Sequence, residues 1–302
     1  MIFLVGATGT GKSTVAMEIA RKSNAAILAM DAMQVYRGAD IGTRKPTAAE
    51  RAEIPHGGLD LAEFGENFDV AQYLKHAGIF LREQREAGRQ VIVTGGTGLY
   101  FRALTQGLCK APQGSDELRV ELNALPVEEL RERLKKIDPA MLERLDSSNP
   151  RRLVRAIEVR EETGRSLREW QEETPEPLLK EFTAVWIQRE KAELEARIKA
   201  RVEAMFSAGW VEEVRGLIER HGVEAVRHFP GIGYREIAEM LESQQTVAEP
   251  ATATLESVKS DIFVATRQYA KRQLTWFNRE PTLQAVMLSG TQPLPAALLS
   301  LS

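Results

Sequence analysis

Apolar and polar positions fall in blocks along the chain. Ile2-Phe3-Leu4-Val5 is a short continuous apolar run, the pattern of a buried strand. It passes straight into a glycine-rich turn and then a helical pattern with Val15 and Ile19 on one face. A second run, Ala26 to Met30, ends on the acid Asp31, and a third, Val91-Ile92-Val93-Thr94, ends on Gly95-Gly96-Thr97. Each strand therefore delivers its polar residues at a carboxyl end. Between them, residues 69–87 carry Val70, Leu74, Ala77 and Leu81 at helical spacing and stop at Gly88, an amphipathic crossover helix. Strands alternating with helices predict an α/β fold with a parallel, doubly wound sheet.

The pattern changes near Pro112-Gln113-Gly114-Ser115, where strand signals stop and short, highly charged helices follow. One spans about 127–137. Another has Asn149 as N-cap and Pro150 at its first position, carries Leu153, Ile157 and Glu161, and ends at Gly164. Thr174-Pro175-Glu176-Pro177 reads as a linker. Phe182 to Ile187 is a further core strand, and Leu194, Ile198, Val202, Met205 and Phe206 form a helical apolar stripe. The predicted organisation is a first core segment, 1–114, a helical insertion domain, 115–181, and a second core segment with C-terminal helices, 182–302. No internal repeat is evident, and the stretch from Leu288 on is apolar, rich in Pro and Ser, and without pattern.

The 302 residues include 40 Lys and Arg against 43 Asp and Glu, a formal charge of −3, which excludes a polycation that coats nucleic acid. The single cysteine, Cys109, cannot form an internal disulfide, and His56, His76, His221 and His228 lack zinc-ligand spacing. No basic stretch precedes the first apolar run, and no segment approaches the roughly 20 apolar residues of a membrane span. A cytoplasmic protein, with no membrane partner, is expected. His56 reads as a satisfied loop histidine and Cys109 as an inert thiol.

The sharpest chemical signal is Gly6-Ala7-Thr8-Gly9-Thr10-Gly11-Lys12-Ser13, which fits G-x-x-x-x-G-K-[ST] between a strand and a helix. Glycines let the backbone curl so that several N–H groups converge, and the helix adds its positive end, making an anion site. Lys12 supplies a mobile charge, and the Ser13 hydroxyl can ligate Mg²⁺. The loop predicts a polyphosphate or diphosphate ligand without saying which. P-loop NTPases hold Mg²⁺ with a second acid at the end of a buried strand, yet the run from Val91 ends on Gly95-Gly96-Thr97. The acid is Asp31, either a structural cap or ion-pair partner, or a functional group in the crevice at the strand ends.

Two windows depart from the acidic average. Arg151 to Arg160 carries four arginines against one acid, and Arg267 to Arg279 carries Arg267, Lys271, Arg272 and Arg279 among Tyr269, Trp276 and Phe277 with no acid. Such patches suit a single-stranded RNA loop, whose phosphates need charge and whose bases need stacking surfaces; a solvated helix face with core aromatics has the same composition. Pro230-Gly231-Ile232-Gly233-Tyr234-Arg235 permits close backbone approach to a partner, or is a loop between helices.

Together these segments resemble the bacterial tRNA dimethylallyltransferases (tRNA isopentenyltransferases) along nearly the whole chain. The resemblance rests on GATGTGKST, DAMQVYRGADIGTRKP (31–46), VIVTGGTGLYFRAL (91–104), DPAMLERLDSSNPRRLVRAIEV (138–159), FPGIGYRE (229–236) and ATRQYAKRQLTWF (265–277), in that order. It implies a P-loop core with a helical insertion, acting on a tRNA anticodon stem-loop; a monomer is the expectation for a geometry of one protein on one tRNA. The implied reaction moves a dimethylallyl group from dimethylallyl diphosphate to N6 of the adenine immediately 3′ of the anticodon. By position it implies that residues 6–13, with Arg201, bind the diphosphate, that Ser13 holds Mg²⁺, and that Asp31 engages the adenine amino group with Thr97 beside it. Lys12 and Arg201 would act on the leaving group. The implied tRNA contacts are Asp31, Ala32, Met33, Gln34, Thr97, Arg119, Arg151, Arg152, Leu153, Val154, Arg155, Pro230, Gly231, Ile232, Gly233, Tyr234, Arg235, Lys271, Arg272, Gln273 and Trp276. The family usually has Ser where this chain has Ala32, and often a basic residue where it has Asn278. A small-molecule or nucleotide kinase, or an RNA-binding GTPase or ATPase, is the competing class that the loop alone would allow.

Overall fold

A computed structural model describes residues 1–173, 176–244 and 254–290. Thr174 and Pro175 of the predicted linker, and the end of the Pro- and Ser-rich stretch from residue 291, lie outside the described residues. The chain divides into two compact units, 1–101 with 179–302, and 102–178.

The first unit opens with β1 (Ile2–Gly6), α1 (Lys12–Ser23), β2 (Ala26–Met30), α2 (Ala48–Glu53), β3 (His56–Gly57), α3 (Val70–Glu86), β4 (Val91–Gly95) and the start of α4 (Gly98–Gln106). The second unit holds α5 (Asp116–Asn123), α6 (Val127–Ile137), α7 (Pro139–Arg144), α8 (Pro150–Thr163) and α9 (Leu167–Glu172). The first then resumes with β5 (Thr183–Gln188), α10 (Lys191–Ser207), α11 (Trp210–His221), α12 (Val223–His228), α13 (Tyr234–Ser243), α14 (Leu255–Phe277) and β6 (Gln284–Met287).

Six parallel strands form one sheet in the order β3-β2-β4-β1-β5-β6. Every residue of β1, β2 and β4 is buried, which is why these strands read as unbroken apolar runs rather than alternating ones. Register aligns their carboxyl ends: Met30 of β2 lies opposite Gly95 of β4, and Val5 of β1 opposite the same glycine. The chain therefore leaves three neighbouring strands on one rim, where ligands of open α/β sheets bind.

The helix predicted over 69–87 is α3, begun by an Asp69 capping box with Gln72. Its buried face is Tyr73, Ala77, Leu81 and Gln84, rotated from the expected Val70–Leu74 line because Tyr73 reaches inward to donate to the Ala29 carbonyl at 3.0 Å. Two strands carry no apolar-run signal. β3 is two residues long after Pro55, with His56 Nδ1 2.7 Å from the Ile54 carbonyl, and edge strand β6 leaves most of its side chains exposed.

The helical unit begins at Arg102 rather than near 115. The connecting segment belongs with it because Arg155 donates to the carbonyls of Ala111 and Pro112, both at 2.7 Å, and Ala111 joins its core. Leu122, Leu130, Leu134, Leu153 and Ile157 make up that core, with Cys109 packed against it. Leu153 and Val154 are accordingly core residues and not the RNA-facing residues expected; Arg151 and Arg152 are the exposed pair on that turn. Arg119 is likewise committed inside the unit, donating through Nε at 2.7 Å and Nη2 at 3.2 Å to the buried carboxylate of Glu158.

Among the described residues no helix is long and apolar enough to cross a membrane. Because Arg119→Ala leaves the buried Glu158 carboxylate with Arg155 alone, 3.8 Å away, it is expected to destabilise the protein by about 1–3 kcal/mol, less than a fully broken buried pair. Urea unfolding checks this; an unchanged midpoint would contradict it.

Candidate functional site

The glycine-rich loop bridges β1 and α1. Gly9 and Gly11 have φ of +87° and +89°, which only glycine adopts without strain, and Gly11 is the N-cap that turns the chain into α1. A side chain at Gly6 would meet the Ile187 carbonyl at 2.7 Å, so β1 and β5 close up at that point. The loop is braced from outside. Arg197 Nε donates to the Gly9 carbonyl at 3.0 Å, Arg189 Nε to that of Thr10 at 2.9 Å, and buried Thr10 Oγ1 to that of Ala7 at 2.8 Å. With these carbonyls occupied, and with Thr10 N–H donating to the Ala7 carbonyl at 3.3 Å, it is the glycine amides of the loop and the amino end of α1 that are left for an anion.

Beside it, β2 ends at Asp31, whose Oδ1 accepts the Met33 N–H at 2.9 Å. The next amide, Ala32 N–H, donates to Thr97 Oγ1 at 3.2 Å, tying the β2 turn to the β4 turn. Gln273 of α14, buried, completes the frame: its Oε1 accepts Thr8 N–H at 2.8 Å and its Nε2 donates to the Gly96 carbonyl at 2.9 Å. One amide thus joins the phosphate loop to the turn that carries Thr97. A further carboxylate, Glu213 of α11, organises the segment after β2. It accepts the N–H groups of Asp40 at 2.8 Å, Ile41 at 2.6 Å and Gly42 at 3.2 Å, with the Tyr234 hydroxyl at 2.8 Å.

These elements enclose a cavity of about 340 Å³. Thr8, Lys12, Ser13, Asp31, Ala32, Met33, Gln34, Thr97, Arg201, Pro230, Gly231, Ile232, Arg272 and Gln273, all singled out in the sequence, line it together. Its charge is lopsided: Lys12, Arg201, Arg44 and Arg272 face one carboxylate, Asp31. Burial, reinforced by the Arg201 charge and opposed by Asp31, lowers the Lys12 ammonium to about 8. Burial likewise lowers Arg201 to about 10, with Asp31 opposing and Arg44 adding to the fall. A cavity that disfavours its own cations is set to take an anion. Among the described residues no group of three or more His, Cys, Asp or Glu could hold a metal ion by itself.

Other expected site residues stand elsewhere. Ala7 and Thr10 are buried within the loop, where Thr10 N–H and Oγ1 both donate to the Ala7 carbonyl, at 3.3 and 2.8 Å. Tyr234, expected at the RNA, is fully buried on Glu213, and Gly233 lies under Trp210 so closely that a side chain there would strike the indole. Trp276 packs on Gly98 and on Phe101, ring centroids 6.2 Å apart, so it is wedged into the fold more than presented for stacking. Lys271 and Arg235 are exposed outside the cavity lining. The cavity also gathers Gly42, Thr43, Arg44, Thr94, Gly95, Val202, Met205, Trp210, Thr266 and Tyr269, which sequence reasoning had not assigned to the site. For Thr266 and Tyr269 a signal existed, since they share a helical face with Gln273; for Trp210 none did.

The family model described as IPP transferase matches residues 34–280. The chain is 42% identical over 292 residues to the tRNA dimethylallyltransferase of Methylacidiphilum infernorum, covering 97% of this chain and 87% of that one. It is 40% identical over 284 residues to tRNA dimethylallyltransferase 1 of Citrifermentans bemidjiense, covering 93% and 89%. The crystal structure of the full-length tRNA isopentenylpyrophosphate transferase from Bacillus halodurans superposes with a TM-score of 0.67 at 29% identity, covering 99% of this chain and 93% of that one.

The Gln273 bridge makes a checkable demand. Gln273→Leu removes the acceptor of Thr8 N–H and the donor to Gly96, a loss of about 1–3 kcal/mol of local stability. Backbone hydrogen exchange in residues 6–13, followed by mass spectrometry, should speed up in this variant; unchanged protection would show that the bridge does not hold the loop.

Proposed function

The chain belongs to the IPP transferase family, and on that premise we propose that it transfers a dimethylallyl group from dimethylallyl diphosphate to N6 of the adenine immediately 3′ of the anticodon in tRNA, releasing diphosphate. The observation that carries this reading is the pairing, in one cavity, of Asp31 with the half-buried cations Lys12 and Arg201. One end suits a leaving diphosphate and the other a proton acceptor.

The N6 lone pair is delocalised into the adenine ring and attacks poorly unless its proton is accepted as the new bond forms. Asp31, fixed by the Met33 amide, accepts that proton, while the Ala32–Thr97 hydrogen bond holds its turn in place. The N6–C1 bond forms as the C1–O bond breaks, and the electron pair of the latter leaves with the diphosphate. Lys12, Arg201 and the loop amides stabilise the charge that develops there. Ser13 is exposed beside Lys12 and offers a hydroxyl to Mg²⁺, an ion that fills most of its shell with water and phosphate oxygen and so needs no acidic cluster. When bound, Mg²⁺ adds charge neutralisation at the diphosphate. A leaving group, unlike a transferred phosphoryl, requires no second acid at the end of β4, and Gly95 stands there.

The adenine leaves its loop stack at a cost of a few kcal/mol, offset by contacts at the cavity mouth. Met33, Gln34, Arg272 and Pro230–Ile232 stand where such contacts would form. Lys271 on α14 supplies an exposed cation for the phosphates.

Incubation with labelled dimethylallyl diphosphate and unmodified tRNA, in parallel with ATP, tests the reading. Prenylated adenosine is expected, without ATP turnover; Asp31→Ala should reduce kcat by orders of magnitude while tRNA still binds. ATP hydrolysis without prenylation, or a near-normal kcat in the variant, would refute it.

A further inference from the structure

Beside the site cavity runs an open groove lined largely by charge. Of the four cations that line it, three are held by carboxylates. Lys45, its side chain almost wholly buried, donates to Asp40 at 2.7 Å and to Asp60 at 2.6 Å; Arg51 pairs with the same Asp60, and Arg37 Nε donates to Glu63 at 2.8 Å. The fourth, Arg44, is exposed, and its guanidinium makes no hydrogen bond or ion pair with the described residues. It also lines the site cavity, so the groove's one uncompensated charge stands where the two spaces meet.

We infer that Arg44 grips a backbone phosphate of the RNA strand that delivers the adenine. The inference rests on the proposed prenyl transfer to tRNA. The Arg44 backbone is fixed in the left-handed region, φ +61°, where a residue other than glycine is strained. Neighbours hold it there: Arg44 N–H donates to the Ile41 carbonyl at 3.0 Å, and Gln34 Nε2 donates to the carbonyls of Thr43 and Arg44, each at 3.1 Å. A free guanidinium thus stands on a rigid mount, and little backbone freedom is lost when it takes a ligand. Two phosphates come into question, the leaving diphosphate and the RNA backbone. After burial, the charges that act on Arg201 are Asp31 and Arg44, whereas those that act on Lys12 are Arg201 and Asp31. Arg44 therefore lies beyond Arg201 as seen from the phosphate loop. The diphosphate belongs between the loop, Lys12 and Arg201. Arg44, out at the open groove, meets the chain that crosses the mouth when its base enters the cavity.

The experiment measures equilibrium binding of unmodified tRNA over a range of salt, and of inorganic diphosphate, to the unsubstituted protein, Arg44→Gly and Arg44→Lys. Glycine suits the left-handed backbone, so Arg44→Gly should unfold at the same temperature or higher. It should nonetheless bind tRNA about tenfold more weakly, the scale of one charge-assisted contact. The slope of log affinity against log salt should flatten by about 0.7, the share of one single-strand phosphate. Arg44→Lys should keep the slope, and all three proteins should bind inorganic diphosphate alike. Unchanged tRNA affinity and slope in Arg44→Gly overturn the inference. So does weaker binding of diphosphate with tRNA binding intact, which would give Arg44 to the small substrate. Absence of prenyl transfer by the unsubstituted protein refutes the proposed function alone, because the salt slopes still decide for or against Arg44.

Discussion

Lys12 and Arg201 are two cations held in one buried cavity against a single carboxylate. Like charges brought out of water repel and lose hydration, and both pKa values fall accordingly, to about 8 and about 10. Among the described residues lining the cavity Asp31 is the one carboxylate that opposes this, helped by a long 3.5 Å bond from Lys12 Nζ to the Ala7 carbonyl, while Arg44 and Arg272 add further positive charge. For Lys12 the unfolded chain keeps its proton to a higher pH than the folded one, so this group makes the fold more stable as pH rises from about 8 toward the ordinary lysine value. The arrangement costs stability at neutral pH, and a bound polyanion reverses that cost.

Much of the surrounding structure serves to hold this unfavourable pair in place. Arg189 and Arg197 occupy loop carbonyls, Gln273 ties the loop to the β4 turn, and Glu213 gathers three successive amides of the segment after β2. The parallel sheet supplies the common rim, because β2, β4 and β1 are adjacent and end in register. Asp31 faces the cations because β2 ends on the same rim as β1. Prenyl transfer requires that opposition, an acceptor for one proton across from a cradle for one leaving group.

The strands and the phosphate loop were legible because burial on both faces of a parallel sheet leaves unbroken apolar runs, and because a curled phosphate loop tolerates few residue types. Asp31 was legible by position, as the polar residue at a strand end. What escaped was decided by side-chain direction. Leu153 and Val154 sit between Arg152 and Arg155 in one motif, yet helical geometry turns them into the core of the second unit. Tyr234 belongs to a glycine-bearing segment that reads as a surface loop, but Glu213, distant in sequence, draws its hydroxyl inside. Met205 read correctly as core and also lines the cavity, because a core position that borders a cavity has no separate pattern in one dimension. β3 and β6 are too short or too exposed for periodicity to register.

The central claim is that Lys12, weakened as a cation by burial and further by Arg201, is the charge a diphosphate restores. The most direct measurement is the affinity for inorganic diphosphate from pH 7 to pH 9, in the unsubstituted protein and in Lys12→Arg, whose guanidinium stays charged throughout. The comparison cancels ionisation of the diphosphate itself. If Lys12 loses its proton near 8, affinity in the unsubstituted protein falls relative to the variant by about tenfold across that interval. Parallel pH profiles for the two proteins would contradict the account.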